Sequence, residues 1–218
     1  MKYMIHAAPP RMWYVDEFLI PSMIAQGIHR DDIEVWIDTD GKGNLFSCME
    51  SFRMCGKQDG GIWHLQDDVI ISRDFAARTK EHDLGIVCGF ACKNFGAQSQ
   101  NIGRVPAVFM WYSFQCIRIP NDLAGECADW FYSEAQHRTK YVQLIAERKH
   151  DDQFWRDFIN ERHRELWVTN LAPNIVDHVD YLIGGTLINR LRSIKINRAA
   201  FWEEEYLVKR LSEQLKKR

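Results

Sequence analysis

Short apolar runs of strand length alternate with stretches of helical spacing along most of this chain, and that alternation restricts the fold more than any other feature of the sequence. Tyr3 to Ala7 reads as a strand; Pro9-Pro10 ends it, and Arg11 to Gln26 follows as a helix with Trp13, Phe18, Met23 and Ile24 as its apolar positions. Ile33 to Ile37 gives a second strand, which runs into the turn-forming and acidic segment from Asp38 to Asn44. Ile62 to Ser72 reads as a third strand interrupted by Gln66-Asp67-Asp68, with a short helix from Arg73 to Glu81 after it. Gly85 to Cys92 is again strand-like, Lys93 to Arg104 is a polar loop, and Pro106 to Ile119 supplies one or two further strands.

In the second half, Asn121 is placed to cap a helix, Asp129 to Lys149 continues helically, and His150-Asp151-Asp152 opens a helix carrying Phe154, Phe158 and Ile159. Leu166 to Thr169 makes a last short strand, and the remaining residues read as loop followed by a terminal amphipathic helix. Strands that alternate with helices imply an α/β fold, a mostly parallel central sheet covered by helices on both faces.

With 218 residues, 46% of them hydrophobic and 27% charged, the chain suits one domain, 1–218, with a substantial core. A net charge of -2 excludes a surface built throughout to neutralise phosphates. The longest uncharged stretch, Val105 to Ile117, contains a proline and falls short of the roughly twenty apolar residues of a spanning helix. The N-terminus lacks the apolar region and cleavage site of a signal peptide, so a cytoplasmic location is expected, that of the host if the gene is viral. None of the six cysteines forms a Cys-x-x-Cys pair, which favours buried free thiols over a thiolate metal site. Eight tryptophans fit either a large aromatic core or a platform for sugar rings or bases.

Ligands of open parallel sheets sit beyond the carboxyl ends of the strands, so acids at those ends bear on function. Asp38 and Asp40 follow one apolar run, and Asp67 and Asp68 follow another. Adjacent carboxylates repel each other, and a hard divalent cation is the simplest compensation. Mg²⁺ or Mn²⁺ needs only one or two carboxylates when substrate phosphates complete its shell. The plain alternative is a pair of turn acids.

Taken in order, these landmarks resemble small GT-A fold glycosyltransferases of the type found in bacteriophage and bacterial genomes. The resemblance rests on Pro9-Pro10-Arg11 after the first strand, on Val35-Trp36-Ile37-Asp38 with Gly41 and Gly43, and on Trp63 to Val69 followed by Asp74-Phe75. It extends through Ile119-Pro120 ahead of Trp130, His150-Asp151-Asp152, and Pro173-Asn174-Ile175-Val176-Asp177-His178. It implies a Rossmann-related sheet with a nucleotide-sugar half over 1–92, an acceptor half over 105–188 and a basic helical tail over 189–218. It further implies a nucleoside-diphosphate sugar as donor, a UDP-sugar first among them, and Mn²⁺ or Mg²⁺ on Asp68 and His178. Arg11, Asp38, Asp67 and Thr186 are assigned to the donor on the same ground, and Asp152 or Asp151 to the base of an inverting transfer onto a hydroxyl. Gln66 stands where the family has the first acid of its metal triplet, and Thr186 follows the histidine where the family often has a serine.

An Asp opening a helix is also an ordinary N-cap, and Arg11 at a helix start is otherwise a surface residue. The implied acceptor is a hydroxymethylated base in viral DNA, a protein such as a capsid subunit, or a glycan. Two rivals remain: a nucleotidyltransferase-like enzyme using the same acids, and a nucleic-acid-binding protein using the basic tail. In that tail Phe201, Val208, Leu211 and Leu215 share one helical face.

Overall fold

The computed structural model describes residues 1–90, 103–107, 114–146, 151–184 and 202–217. The described strands are β1 (Lys2–Ala7), β2 (Ile33–Ile37), β3 (Gly61–Gln66), β4 (Val69–Ile71), β5 (Ile86–Cys88), β6 (Gly103–Pro106), β7 (Cys116–Pro120), β8 (Trp167–Asn170) and β9 (Val176–His178). Seven of them form one sheet in the order β2-β1-β3-β7-β5-β8-β6, and β4 pairs with β9 in a separate ribbon. Within the large sheet β1 is parallel to both β2 and β3, and β5 is parallel to β8. Strands β7 and β6 run against the other five, so the sheet is mostly parallel, as the sequence pattern predicts.

The helices are α1 (Met12–Tyr14), α2 (Ile20–Ala25), α3 (Asn44–Cys55), α4 (Phe75–Glu81), α5 (Asn121–Ser133), α6 (Thr139–Ala146), α7 (Asp151–Arg162) and α8 (Glu205–Leu215). Side chains alternate across a strand, and here each alternate set feeds its own core. Met4, Ile62, Ile117 and Ile119 pack with Leu45, Phe52, Leu123, Phe131 and Phe158 from α3, α5 and α7. Tyr3, Ile5, Trp63 and Leu65 pack on the opposite face with Tyr14, Leu19, Met23, Phe75 and Leu211. Burial of each large aliphatic side chain stabilises by about 1.5–3 kcal/mol, so this two-sided packing, more than helix propensity, holds the layers together.

Several expectations need correcting. The turn-forming segment from Asp38 is followed by a helix that the sequence reading left unassigned, Asn44–Cys55: Gly43 at φ 96° turns the chain, and Leu45, Cys48, Met49 and Phe52 then recur at helical spacing. Asn121 does not cap α5, because its side chain donates instead to the carbonyls of Gln58 and Asp59 and ties the helix to the turn before β3. The helix expected over Asp129 to Lys149 is broken by a 3-10 turn at Ala135–His137, with α6 beginning at Thr139. Of the predicted polar loop, Gly103 and Arg104 belong to β6, and 93–102 lies outside the described residues. Val176–His178, read as loop, is β9.

The terminal amphipathic helix is present as α8. Val208 and Leu211 are buried, Leu215 is half-buried against the second core, and Lys209 and Arg210 face outward. Phe201 lies outside the described residues. Cys48, Cys55, Cys88, Cys116 and Cys127 are buried and form no disulfide. Among the described residues no helix is long and apolar enough to cross a membrane.

Candidate functional site

The chain leaves the large sheet at Gln66, turns at Asp67-Asp68 and enters β4. Because β1 lies parallel beside β3, the segment that follows β1 sits next to this turn. The backbone N–H of Ala8 donates to Asp67 Oδ2 at 2.7 Å, and Arg11, on the 3-10 turn Pro9–Arg11, donates from Nη1 to Asp67 Oδ1 at 2.8 Å. The same guanidinium nitrogen bonds Asp68 Oδ2. Pairing of β4 with β9 sets His178 opposite Val69, and Val179 N–H donates to the Asp68 carbonyl at 2.8 Å. That register brings His178 Nε2 to 3.0 Å from Asp68 Oδ2 across more than a hundred residues of sequence.

Arg11, Asp67, Asp68 and His178 are all buried. Burial opposes ionisation of Asp68, but His178 and Arg11 outweigh it and hold the carboxyl well below its usual range. Burial and the charge of Asp68 instead push Asp67 up to about 6, against Arg11. Burial acts against a charged His178, yet Asp68 raises its pKa above the ordinary value. The compensation that the sequence reading ascribes to a divalent cation is thus supplied from within the chain by a guanidinium and an imidazole. Arg11 turns onto the two aspartates, which is where its nearest partners lie.

One atom of the turn stays open. Asp68 Oδ1 is buried and has no hydrogen-bond partner among the described residues. Among those residues no group of three or more His, Cys, Asp or Glu side chains is placed to hold a metal ion by itself. A hard cation that drew most of its oxygens from a diphosphate would still fit, with Asp68 Oδ1 as its carboxylate ligand. His178 Nε2 is engaged with Asp68, and Nδ1 lies 3.7 Å from Asp180 Oδ1, a buried carboxylate that the sequence reading did not single out.

Gln66 links this turn to the helix-start acids. Its Nε2 lies 3.5 Å from Asp151 Oδ2, so Asp151 reaches the end of β3 from α7. Burial, then the neighbouring Asp152 charge, pushes Asp151 up to about 7. Asp151 also behaves as an N-terminal helix acid, since its Oδ1 accepts from Asp152 N–H at 3.0 Å. Asp152 is half-buried and its Oδ1 accepts from Gln153 N–H at 2.8 Å.

Asp38 has a local structural use. Its two carboxylate oxygens accept from Lys42 and Gly43 N–H, each at 3.0 Å, which closes the loop ahead of α3. Thr186 lies outside the described residues. The sequence reading missed His6, the buried penultimate residue of β1, whose Nε2 lies 2.8 Å from Ser47 Oγ on α3. Its signal was positional: a polar side chain in period two with Met4, next to the strand end. A cavity of about 610 Å³ between α2, β4 and α8, lined by Phe18, Pro21, Ile70, Arg73, Leu207 and Arg210 among others, contains none of the predicted site residues.

No family model and no curated protein sequence matches the chain. Among solved structures, it is similar to the galactosyltransferase LgtC in complex with donor and acceptor sugar analogues, with a TM-score of 0.46, 10% identity, and coverage of 79% of this chain and 73% of that one. A protein from STIV gives a TM-score of 0.41 at 10% identity over 82% of this chain and 85% of that one. The glycosyltransferase GlyE of Streptococcus pneumoniae TIGR4 gives 0.37 at 13% identity, covering 79% of this chain and 55% of GlyE.

Proposed function

We propose that the chain is a nucleotide-sugar-dependent glycosyltransferase of the GT-A type, holding the donor diphosphate at the Asp67-Asp68 turn. The observation that supports it most is Asp68 itself: a buried, ionised carboxylate at the carboxyl end of the sheet, with one oxygen shared by Arg11 and His178 and the other unpartnered. An unpartnered buried acceptor is costly, by about 1–3 kcal/mol or more for a charged group, unless a ligand meets it. Asp68 Oδ1 would hold Mg²⁺ or Mn²⁺, which supplies Lewis-acid stabilisation to the departing diphosphate. Arg11 bridges the two carboxylates and offsets their mutual repulsion, and His178 adds a second basic group against Asp68.

Asp151 is the better placed base of the two helix-start acids, because it is the one in contact with Gln66. A carboxyl pushed up to about 7 is matched to taking a proton from an acceptor hydroxyl near neutral pH. Attack from the face opposite the leaving diphosphate inverts the anomeric carbon. The donor is a UDP-sugar or a related nucleoside-diphosphate sugar, and the acceptor is a hydroxyl on a modified DNA base, a protein or a glycan.

Thermal melting with UDP-, GDP-, ADP- and dTDP-sugars, each with and without Mn²⁺, tests the donor. A ligand at a hundred times its dissociation constant stabilises by about 2.7 kcal/mol, enough for a clear rise in Tm. If no nucleotide-sugar raises Tm under any condition, the proposal is wrong. Asp68→Asn should keep the fold and lose turnover by a hundredfold or more; full activity in that variant removes Asp68 from the mechanism.

A further inference from the structure

Near the end of β1, on the face covered by α3, a short relay of polar side chains has one unused end. Trp36 Nε1 donates to Ser47 Oγ at 3.0 Å, and Ser47 Oγ lies 2.8 Å from His6 Nε2. An indole N–H can only donate, so Ser47 uses a lone pair on Trp36. The Ser47 hydroxyl hydrogen has no other acceptor among the described residues, and it goes to His6 Nε2. His6 therefore carries its own hydrogen on Nδ1. That nitrogen has no hydrogen-bond partner among the described residues, although His6 is only 7% exposed.

The surroundings keep the ring neutral and place it between the two acidic ends. Burial lowers its pKa to about 4, against the opposing pull of Asp38 and Asp68, both close enough to act on it. Asp38, which only the family resemblance assigns to the nucleotide's base or ribose, lies beside the end of β1, its N–H donating to the Ala7 carbonyl at 3.0 Å, and has both carboxylate oxygens on loop amides. At this end of β1 the open polar group is thus the His6 donor and not the Asp38 acceptor.

We propose that His6 is a specificity-determining residue of the donor site, its Nδ1–H given to an acceptor oxygen or ring nitrogen of the donor's nucleoside. The Trp36–Ser47 relay fixes the tautomer, so the site presents a neutral, preset donor at no cost of reorganisation when the nucleotide enters. This inference rests on the nucleotide-sugar reading above, and it concerns the nucleoside rather than the diphosphate.

The test compares binding of UDP, GDP, ADP and dTDP with that of inorganic pyrophosphate, all with Mn²⁺, by titration calorimetry on the full chain. His6→Asn puts an amide donor near the position of Nδ1, whereas His6→Gln puts its amide near Nε2, towards Ser47. The expected result is that the best-binding nucleoside diphosphate weakens about tenfold in His6→Gln and within about twofold in His6→Asn, with pyrophosphate unchanged in both; a tenfold loss corresponds to about 1.4 kcal/mol. Thermal melting of both variants monitors the fold. Equal losses for the nucleotide and for pyrophosphate, or a weaker nucleotide in His6→Asn than in His6→Gln, overturn the inference and leave the donor proposal standing. Failure of the unmodified protein to bind any nucleoside diphosphate or pyrophosphate overturns both.

Discussion

At the scale of single residues, Arg11 and Asp151 offer the sharpest tests. Arg11 is the cation that two buried carboxylates share, and its removal leaves Asp67 to the Ala8 N–H and Asp68 to His178. Breaking a buried pair by deleting one partner costs about 3–5 kcal/mol, so Arg11→Met should lower the urea midpoint by that equivalent with an unchanged m-value. Adding Asp67→Asn to Arg11→Met should recover part of the loss, since one buried carboxylate disappears. Asp151 predicts a pH dependence of the opposite kind from an ordinary salt-bridged acid. Its folded carboxyl keeps a proton up to about 7, whereas the unfolded one releases it near its ordinary value of 3.8. The folded state binds more protons across that window, so Asp151 costs stability as pH rises from about 4 to about 7. Asp151→Asn should match the parent protein near pH 4 and exceed it above pH 7, as chemical denaturation at a series of pH values will show. A constant difference at every pH would refute the raised carboxyl.

At the scale of elements, the packing of α3 on α5 depends on two glycines. A Cβ built on Gly56, just past the end of α3, would stand 2.5 Å from Gly125 Cα in α5, closer than any real contact allows. Gly56→Ala should therefore destabilise by about 1–3 kcal/mol through overpacking, read as a lower urea midpoint. The backbone at Gly56, φ -60°, is ordinary, so the contact alone decides the sign. Elements also show what a single sequence reveals. Strands β1, β2 and β3 were legible because their apolar residues run together and are flanked by proline, glycine and acids. Helix α3 was hidden by the run of turn-formers before it, which drew the eye away from Leu45, Cys48, Met49 and Phe52. Strand β9 was hidden because two of its three residues, Asp177 and His178, are polar though buried, and only pairing with β4 makes them a strand. The acidic pair was legible as a turn beyond the end of β3, but its internal compensation by Arg11 was not: spacing along the chain does not report that β1 and β3 are neighbours.

At the scale of the whole molecule, two buried histidines contribute to the response to acid. His6 and His64 lie with ring centroids 5.8 Å apart, and burial lowers their pKa values to about 4 and about 3. Unfolding lets both take up protons near the ordinary histidine value of 6.5. Their contribution to stability is fully present above that pH and is lost as pH falls towards the folded values. His64→Phe, placed among Phe52 and Phe114, should flatten the acid limb of a stability profile between pH 6.5 and 4, and an unaltered limb would show that other groups control it. The opposite face of the sheet depends on the far end of the chain, where Leu211 closes the second core. Leu211→Ala should cost about 2–5 kcal/mol, measured as a drop in denaturant midpoint.

His178 reaches Asp68 through the β4–β9 ribbon, whose two strands are separated by more than a hundred residues of sequence. During synthesis, then, a ribosome-bound fragment that already displays the first three parallel strands still lacks the imidazole of its own crevice. A nascent product halted before β9 has emerged therefore holds Asp67, Asp68 and Arg11 together without the second basic group that Asp68 meets in the complete fold.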